Sequence, residues 1–351
     1  MRKSLKLRLL RAGPLKNNPV AVAVYGCRSL LRRFIGNPLL YPNPRNWLEA
    51  SAVFNPSVTV FDGRVVMLYR ALSKDIPRSP YESIRISTIF YAESHDGYSF
   101  EGRRMLLGPE LPWESHSVED PRITEVNGVY YITYTAVASI PPRPDTVHLA
   151  LAVTEDFRRV SKVGLICPYN SKAGFVFPRK YDGRYVLALT LNPDLPPSRV
   201  VLVHFDKLSD LLDREFWEVA LGEARVVLQG TPARPFVEVG TPPLGLDSYW
   251  LLFLPDIAYE EGHFREFRAT AMLLDKDDPA RVVAKSEKPL LSPTLEYELT
   301  FSEPLRGVVF PSGVARFGDK VLLYYGAADR YVAVAEVDVE SLVRHLLRGG
   351  S

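Results

Sequence analysis

The stretch AVFNPSVTVF-DG-RVVMLYRA, residues 52–71, decides the fold. Two runs rich in Val, Phe and Tyr flank Asp-Gly, a dipeptide that tolerates the positive φ angles of a two-residue hairpin turn. The same design recurs four times along the chain. It reads DPRITEV-NG-VYYITYTA over 120–136, GFVFPRKY-DG-RYVLALT over 174–190, GTPPLGL-DS-YWLLFLP over 240–255 and FPSGVARF-GD-KVLLYYGAAD over 310–329. The last two turns are weaker variants. The second turn residues, Gly63, Gly128, Gly183, Ser248 and Asp319, lie 55–71 residues apart. Five such units, each mostly strand, predict an all-β chain folded as a five-bladed β-propeller with one sheet per unit. Runs at 86–94, 148–154, 200–205, 268–274 and 331–337 supply outer strands. The helical periodicity of a helical solenoid is absent between the hairpins. Only Ser341 to Leu347 reads as a short amphipathic C-terminal helix. Residues 1–45 read as an N-terminal extension, and 46–351 as the propeller.

Composition removes several functions. The 43 Lys and Arg nearly balance 41 Asp and Glu, for a net charge of +2. That balance gives no basis for a nucleic-acid partner or an anionic membrane surface. No apolar run reaches the ~18 residues of a membrane helix. The basic N-terminus lacks the long apolar core and small-residue cleavage site of a secretory signal, so a cytoplasmic location is expected. Cys27 and Cys167 form neither a metal-ligand spacing nor a disulfide framework, and no pair among the six histidines has metal-ligand spacing. Neither a phosphate-binding loop nor a serine nucleophile elbow is present. No metal or cofactor is therefore expected.

The repeat also points to a site. Counting eight residues back from each second turn residue reaches Asn55, Asp120, Phe175, Gly240 and Pro311. Counting seven forward reaches Arg70, Thr135, Thr190, Pro255 and Gly326. If the first strand of each unit is innermost, these positions ring one rim, where loops over a rigid scaffold tend to carry function. Asn55, Arg70, Glu119, Asp120, Arg122, Lys172, Glu238, Asp256 and Asp329 converge there, with Trp113, Phe175 and Tyr325 nearby. Carboxylates, cations and rings together suit a sugar. Plainer roles exist for each: Asp120 before Pro121 as a turn cap, Arg70 as a strand-end ion pair, Asp329 as an Asx turn, Lys172 as a solvated lysine. The common register favours the site.

At these residues the chain resembles glycoside hydrolase family 130, the mannoside phosphorylases and β-mannosidases. The carriers are FNPSV from Phe54, LYRA from Leu68, EDPRIT from Glu119, YYITYTA from Tyr130, FPRKYDGRY from Phe177, GVVFPSG from Gly307 and YYGAAD from Tyr324. The resemblance spans about residues 45–347 and implies a five-bladed propeller. It implies an inverting displacement at the anomeric carbon of a β-mannoside in an oligosaccharide, with Asp120 as general acid. In the phosphorylases that acid works through the mannose 3-hydroxyl. Asn55, Arg70 and Asp329 match residues holding the mannosyl ring, Arg122 one that positions Asp120 or a hydroxyl, and Lys172 a phosphate-binding cation. The family implies no cofactor, phosphate as co-substrate only for a phosphorylase, and commonly a homo-oligomer.

Departures from the family pattern bear on the nucleophile. An Arg of a strand-end LHRP pattern is Thr190 here, and the His of a YHG segment is Leu254. Near a position usually held by Lys stands ARPFVEVG, offering Arg234 or Glu238. Charge-assisted bonds contribute ~1.5–3 kcal/mol each, so losing two weakens dianion binding by several kcal/mol. On that ground hydrolysis is expected over phosphorolysis, with Glu238 as the base and Asp256 in reserve. A water-activating base stands ~6.5–9.5 Å from the acid in inverting enzymes. The alternatives are a phosphorylase whose anion site is rebuilt from Lys172, Arg179 or Arg234, and a sugar-binding propeller without chemistry. A five-bladed arabinofuranosidase or fructan hydrolase is disfavoured because Asn55 stands where those enzymes place an Asp base.

Overall fold

Hairpin turns of two residues work when both carry positive φ. Asp62-Gly63, Asn127-Gly128 and Asp182-Gly183 all do, at 49° and 71°, 54° and 82°, and 49° and 80°. The computed structural model describes residues 30–79, 81–300 and 303–349. It opens with β1 (Arg32–Arg33), followed by a first antiparallel run of β2 (Ala52–Phe61), β3 (Arg64–Leu72), β6 (Ser87–Ser94) and β7 (Glu101–Leu107). Between β3 and β6 stands a separate small hairpin, β4 (Ile76–Ser79) and β5 (Glu82–Ile84). A second run joins β8 (Ser117–Val126), β9 (Val129–Val137), β10 (Val147–Thr154) and β11 (Ser161–Leu165). The third joins β12 (Ser171–Val176), β13 (Tyr185–Leu191), β14 (Arg199–Phe205) and β15 (Arg225–Gln229).

The remaining strands form one eight-stranded sheet made of two such runs. One is β16 (Leu244–Gly245), β17 (Tyr249–Glu260), β18 (His263–Asp275) and β19 (Val282–Lys285); the other is β20 (Gly307–Phe317), β21 (Lys320–Ala327), β22 (Tyr331–Asp338) and β1. They are joined where β18 and β20 pair in parallel, at Glu266 with Gly307 and Phe267 with Val308. The chain is all-β, with outer strands close to the expected ranges and helix α2 (Val339–Leu347) at the expected place. Two features were not anticipated. Helix α1 (Arg214–Glu223) packs Trp217 and Ala220 inward and is capped by the Asp213 side chain. Residues 30–45, assigned to the extension, supply a strand: Arg32 and Arg33 pair with Glu336 and Ala335, and Leu40 bridges to Val332. Residues 1–29 of the extension lie outside the described residues.

Serine and threonine hydroxyls stitch the runs together. Ser57 Oγ accepts the Ile123 N–H (3.0 Å), and Ser312 Oγ donates to the Pro56 carbonyl (2.7 Å). Thr133 Oγ1 donates to the Gly174 carbonyl, and Thr190 Oγ1 accepts the Val239 N–H (3.0 Å). The first run is thus tied to the second and to the last, the second to the third, and the third to the segment leading into the fourth.

A buried glutamate recurs in three runs. Glu49, Glu114 and Glu298 each end a one-turn helix and each accept a tyrosine hydroxyl from a second strand: Tyr69 at 2.7 Å, Tyr134 at 3.1 Å and Tyr325 at 2.8 Å. A cation from the outermost strand completes each group, Arg103, Lys162 and Arg33 respectively. Burial, then the neighbouring carboxylate, pushes the Tyr325 phenol well above its ordinary value. Removing one partner of a buried ion pair costs about 3–5 kcal/mol because the other charge is left uncompensated. Glu298→Ala should therefore lower the unfolding free energy by about 3 kcal/mol or more in urea titration, and a loss under about 1 kcal/mol would contradict this role.

Candidate active site

What aims the site residues is a recurring β-bulge. In β2 the register shifts between Phe54 and Ser57, in β8 between Glu119 and Arg122, in β12 between Lys172 and Gly174, and in β20 between Pro311 and Gly313. A bulge leaves residues unpaired and turns a side chain off the sheet's alternation. Asn55, Asp120 and Ala173 sit in these bulges with φ of 48°, 52° and 40°. Positive φ is unusual for non-glycine residues, and a following proline disfavours it further; such strain costs ~1–3 kcal/mol and collects at functional sites. Pro56 and Pro121 fit because bulged residues have no ladder bond to donate.

Asn55 and Asp120 meet across the first and second runs. Asn55 Nδ2 donates to Asp120 Oδ1 at 2.9 Å, and Arg70 Nη1 approaches the same oxygen at 3.5 Å. Arg70 is fixed on three sides. Its Nη2 donates to Glu119 Oε1 (2.8 Å), its Nε donates to Ser87 Oγ (2.8 Å), and its guanidinium lies 4.9 Å from the Phe54 ring centroid. Gly326 makes room for this group: a Cβ there would stand 2.3 Å from Asn55 Oδ1 and 3.0 Å from its backbone nitrogen.

Arg122 supports Asp120 from behind. It is 1% exposed; Nη1 donates to the carbonyls of Asp120 (3.2 Å) and Pro121 (2.9 Å), and Nε donates to the Gly240 carbonyl. Its Nη2, like Asn55 Oδ1, is buried without a hydrogen-bond partner. Lys172 Nζ pairs with Glu238 Oε2 at 3.0 Å. Burial works against this ammonium, but Glu238, then Asp120 and Asp194, hold its pKa above the ordinary lysine value.

These charges divide the carboxylates. Burial drives Asp120 upward, but Arg70, Arg122, the Asn55 hydrogen bond and Lys172 together hold it below the usual range. Burial raises Glu119 despite Arg70. Asp329, at φ 51° after β21, is raised to about 6, chiefly by desolvation, with Arg70 opposing and Asp120 adding to the rise; its solvent-exposed side chain screens that shift.

The structure thus brings Asn55, Arg70, Glu119, Asp120 and Arg122 into contact, and sets Lys172, Glu238 and Asp329 within electrostatic reach of them. Other expectations fail. Phe175 is 1% exposed in the core rather than at the rim: two extra residues lie between Phe177, which pairs with Val186, and Tyr181, which pairs with Arg184, so the bulge falls at Ala173. Tyr325 is buried on Glu298. Asp256, the reserve base, pairs with Arg268 (2.6 Å) and Arg234 (3.3 Å). Glu238, expected as the base, pairs with Lys172. Thr190 and Leu254, read as lost phosphate donors, are buried core residues; Thr190 also donates to the Ala173 carbonyl at 3.3 Å. Sequence reasoning missed Ser87; it placed Gly240 and Gly326 on the rim, but not the bond from Arg122 to the Gly240 carbonyl or the room that Gly326 leaves for Asn55.

The chain belongs to glycoside hydrolase family 130: the family model described as beta-1,4-mannooligosaccharide phosphorylase matches residues 37–348. It is 30% identical to a 1,2-beta-oligomannan phosphorylase of Thermoanaerobacter sp. (strain X514), over 89% of this chain and 98% of the relative. A beta-1,2-mannobiose phosphorylase of the same organism is 28% identical, with 89% and 98% covered. The solved beta-1,2-mannobiose phosphorylase of Listeria innocua, in complex with beta-1,2-mannobiose, superposes with a TM-score of 0.74 at 23% identity, covering 90% of this chain and 99% of that one. Phosphorylases of this family use no cofactor, only phosphate as co-substrate. The expected preference for hydrolysis finds no support among these relatives, which are phosphorylases.

Gly326→Ala should displace Asn55 from Asp120. Turnover is expected to fall at least tenfold while the thermal unfolding midpoint moves by only a few degrees; wild-type turnover would show that the Asn55–Asp120 bond is dispensable.

Proposed function

We propose that this protein is an inverting β-mannoside phosphorylase. It would cleave β-linked manno-oligosaccharides, the β-1,2 linkage being the first to test, with phosphate as nucleophile and α-mannose 1-phosphate as product. The observation that carries the reading is the Asn55–Arg70–Asp120 group with Lys172 beside it, in a chain whose relatives are named phosphorylases. Five antiparallel runs, each tied to its neighbours, support a five-bladed propeller as the scaffold.

In this mechanism Asn55, Arg70 and Asp329 hold the mannosyl ring, Glu119 fixes Arg70, and Arg122 fixes Asp120. Phosphate attacks the anomeric carbon while the bond to the leaving oxygen breaks, and the proton carried by the hydrogen phosphate ends, in net terms, on that oxygen. Asp120 is the acid that delivers a proton through the 3-hydroxyl. Its ordinary state is the carboxylate, because nearby cations stabilise the charge. Phosphate entering beside Lys172 cancels part of that positive field and raises the Asp120 pKa. The acid is thereby armed when the nucleophile arrives. Glu238 competes with phosphate for Lys172 and screens it when the site is empty.

Product analysis on β-1,2-mannobiose with and without phosphate tests this. α-Mannose 1-phosphate formed only with phosphate is expected; free mannose at equal rates in both conditions would restore hydrolysis. Glu238→Gln should keep turnover and lower the KM for phosphate several-fold, whereas abolished turnover would make Glu238 the base after all.

A further inference from the structure

The β17–β18 hairpin projects beyond the level at which the other second strands end. Those strands end at Leu72, Val137, Leu191 and Ala327, eight or nine residues after their turns, and Ile257 is the equivalent here. β17 continues three residues further, to Glu260, pairing with β18 as far as Glu260↔His263. At ~3.3 Å per residue this is a projection of about 10 Å. It turns at Glu261-Gly262, both with positive φ.

The projection carries an aromatic row. Phe236, two residues before Glu238, meets Tyr259 at 4.8 Å and Phe264 at 5.0 Å between ring centroids, and Tyr259 meets Phe264 at 5.1 Å. The row continues through Phe264–Phe267 (5.5 Å) to Phe267–Phe310 (6.0 Å). Phe310 lies 5.9 Å from the Arg122 guanidinium, which holds the Asp120 carbonyl. Exposure rises outward: Phe310 is 7% exposed, Phe267 half-buried, Phe264 39% exposed. Cross-strand aromatics stabilise a projecting ribbon that is marginal alone. That role requires ring–ring contact but not a row that runs back to the acid's support, nor an outer ring left open.

We propose that Phe264 and Tyr259, backed by Phe236, form a stacking platform for sugar units beyond the first on the leaving-group side of the scissile bond. The inference rests on the manno-oligosaccharide function above and deepens it, making the platform a determinant of chain length. A pyranose presents a C–H-lined face to the electron-rich face of an aromatic ring, while its hydroxyls reach flanking polar groups.

The test is kcat/KM for β-1,2-mannobiose, mannotriose and mannotetraose in wild type, Phe264→Ala, Phe264→Leu and Phe264→Trp. Wild type should gain about tenfold from the disaccharide to the longer chains. Phe264→Ala and the milder Phe264→Leu should lose most of that gain, with mannobiose within twofold of wild type; Phe264→Trp should keep it. Equal losses at all lengths would reduce the row to support for the hairpin, and unchanged values would deny it any role. A change of oligomeric mass in Phe264→Ala by light scattering would make the face a subunit interface and overturn the platform. If wild type turned over none of these sugars, with or without phosphate, the proposed function would fall. Titration calorimetry with mannotetraose would then decide the platform separately, equal affinity in wild type and Phe264→Ala overturning it.

Discussion

A β-bulge in the first strand of four runs is the constraint on which the site depends. Regular pleating would fix the face on which residues 55 and 120 project by simple parity. The bulge breaks that parity, and a positive φ before proline turns Asn55 and Asp120 toward each other across two runs. Strain of this kind persists only where the surroundings over-determine it. Here they do: Ser57 and Ser312 bond across the runs beside the Asn55 bulge, Gly326 closes over Asn55, and Arg122 grips the backbone of Asp120 and Pro121.

Charge is arranged by the same economy of place. Asp120 shares its surroundings with three cations, and the other carboxylates each answer one of them: Glu119 on Arg70, Glu238 on Lys172. An isolated buried cation is costly, and pairing removes most of that cost. Burial pushes the Glu119 carboxyl toward the neutral form. Lys172 is held for use without being exposed as a bare charge.

Much of this was legible in the sequence, because turn chemistry is local. Asp-Gly and Asn-Gly located three hairpins, and parity from those turns found Asn55, Arg70 and Asp120. The count failed in the third run because the residues before Tyr181 bulge out near the turn, an irregularity that no periodicity records. Non-local pairings were likewise invisible. Nothing in WLE, PWE or EYE announces a buried Glu–Tyr–cation group, and nothing in VEVG announces that Glu238 would meet Lys172. The expectation of hydrolysis, which finds no support among the named relatives, treated Thr190 and Leu254 as vacant ligand positions; both are core residues with their own packing.

The central claim is that Asp120 delivers the proton to the leaving group. The leaving-group dependence of Asp120→Asn tests it most directly, comparing β-1,2-mannobiose with 2,4-dinitrophenyl β-mannoside, whose phenolate needs no proton to depart. A general acid of this kind contributes roughly 10²–10⁴-fold, so the variant should lose at least a hundredfold on mannobiose and little on the activated substrate. Equal losses on both would mean that Asp120 serves only to hold the sugar and that the acid is another residue.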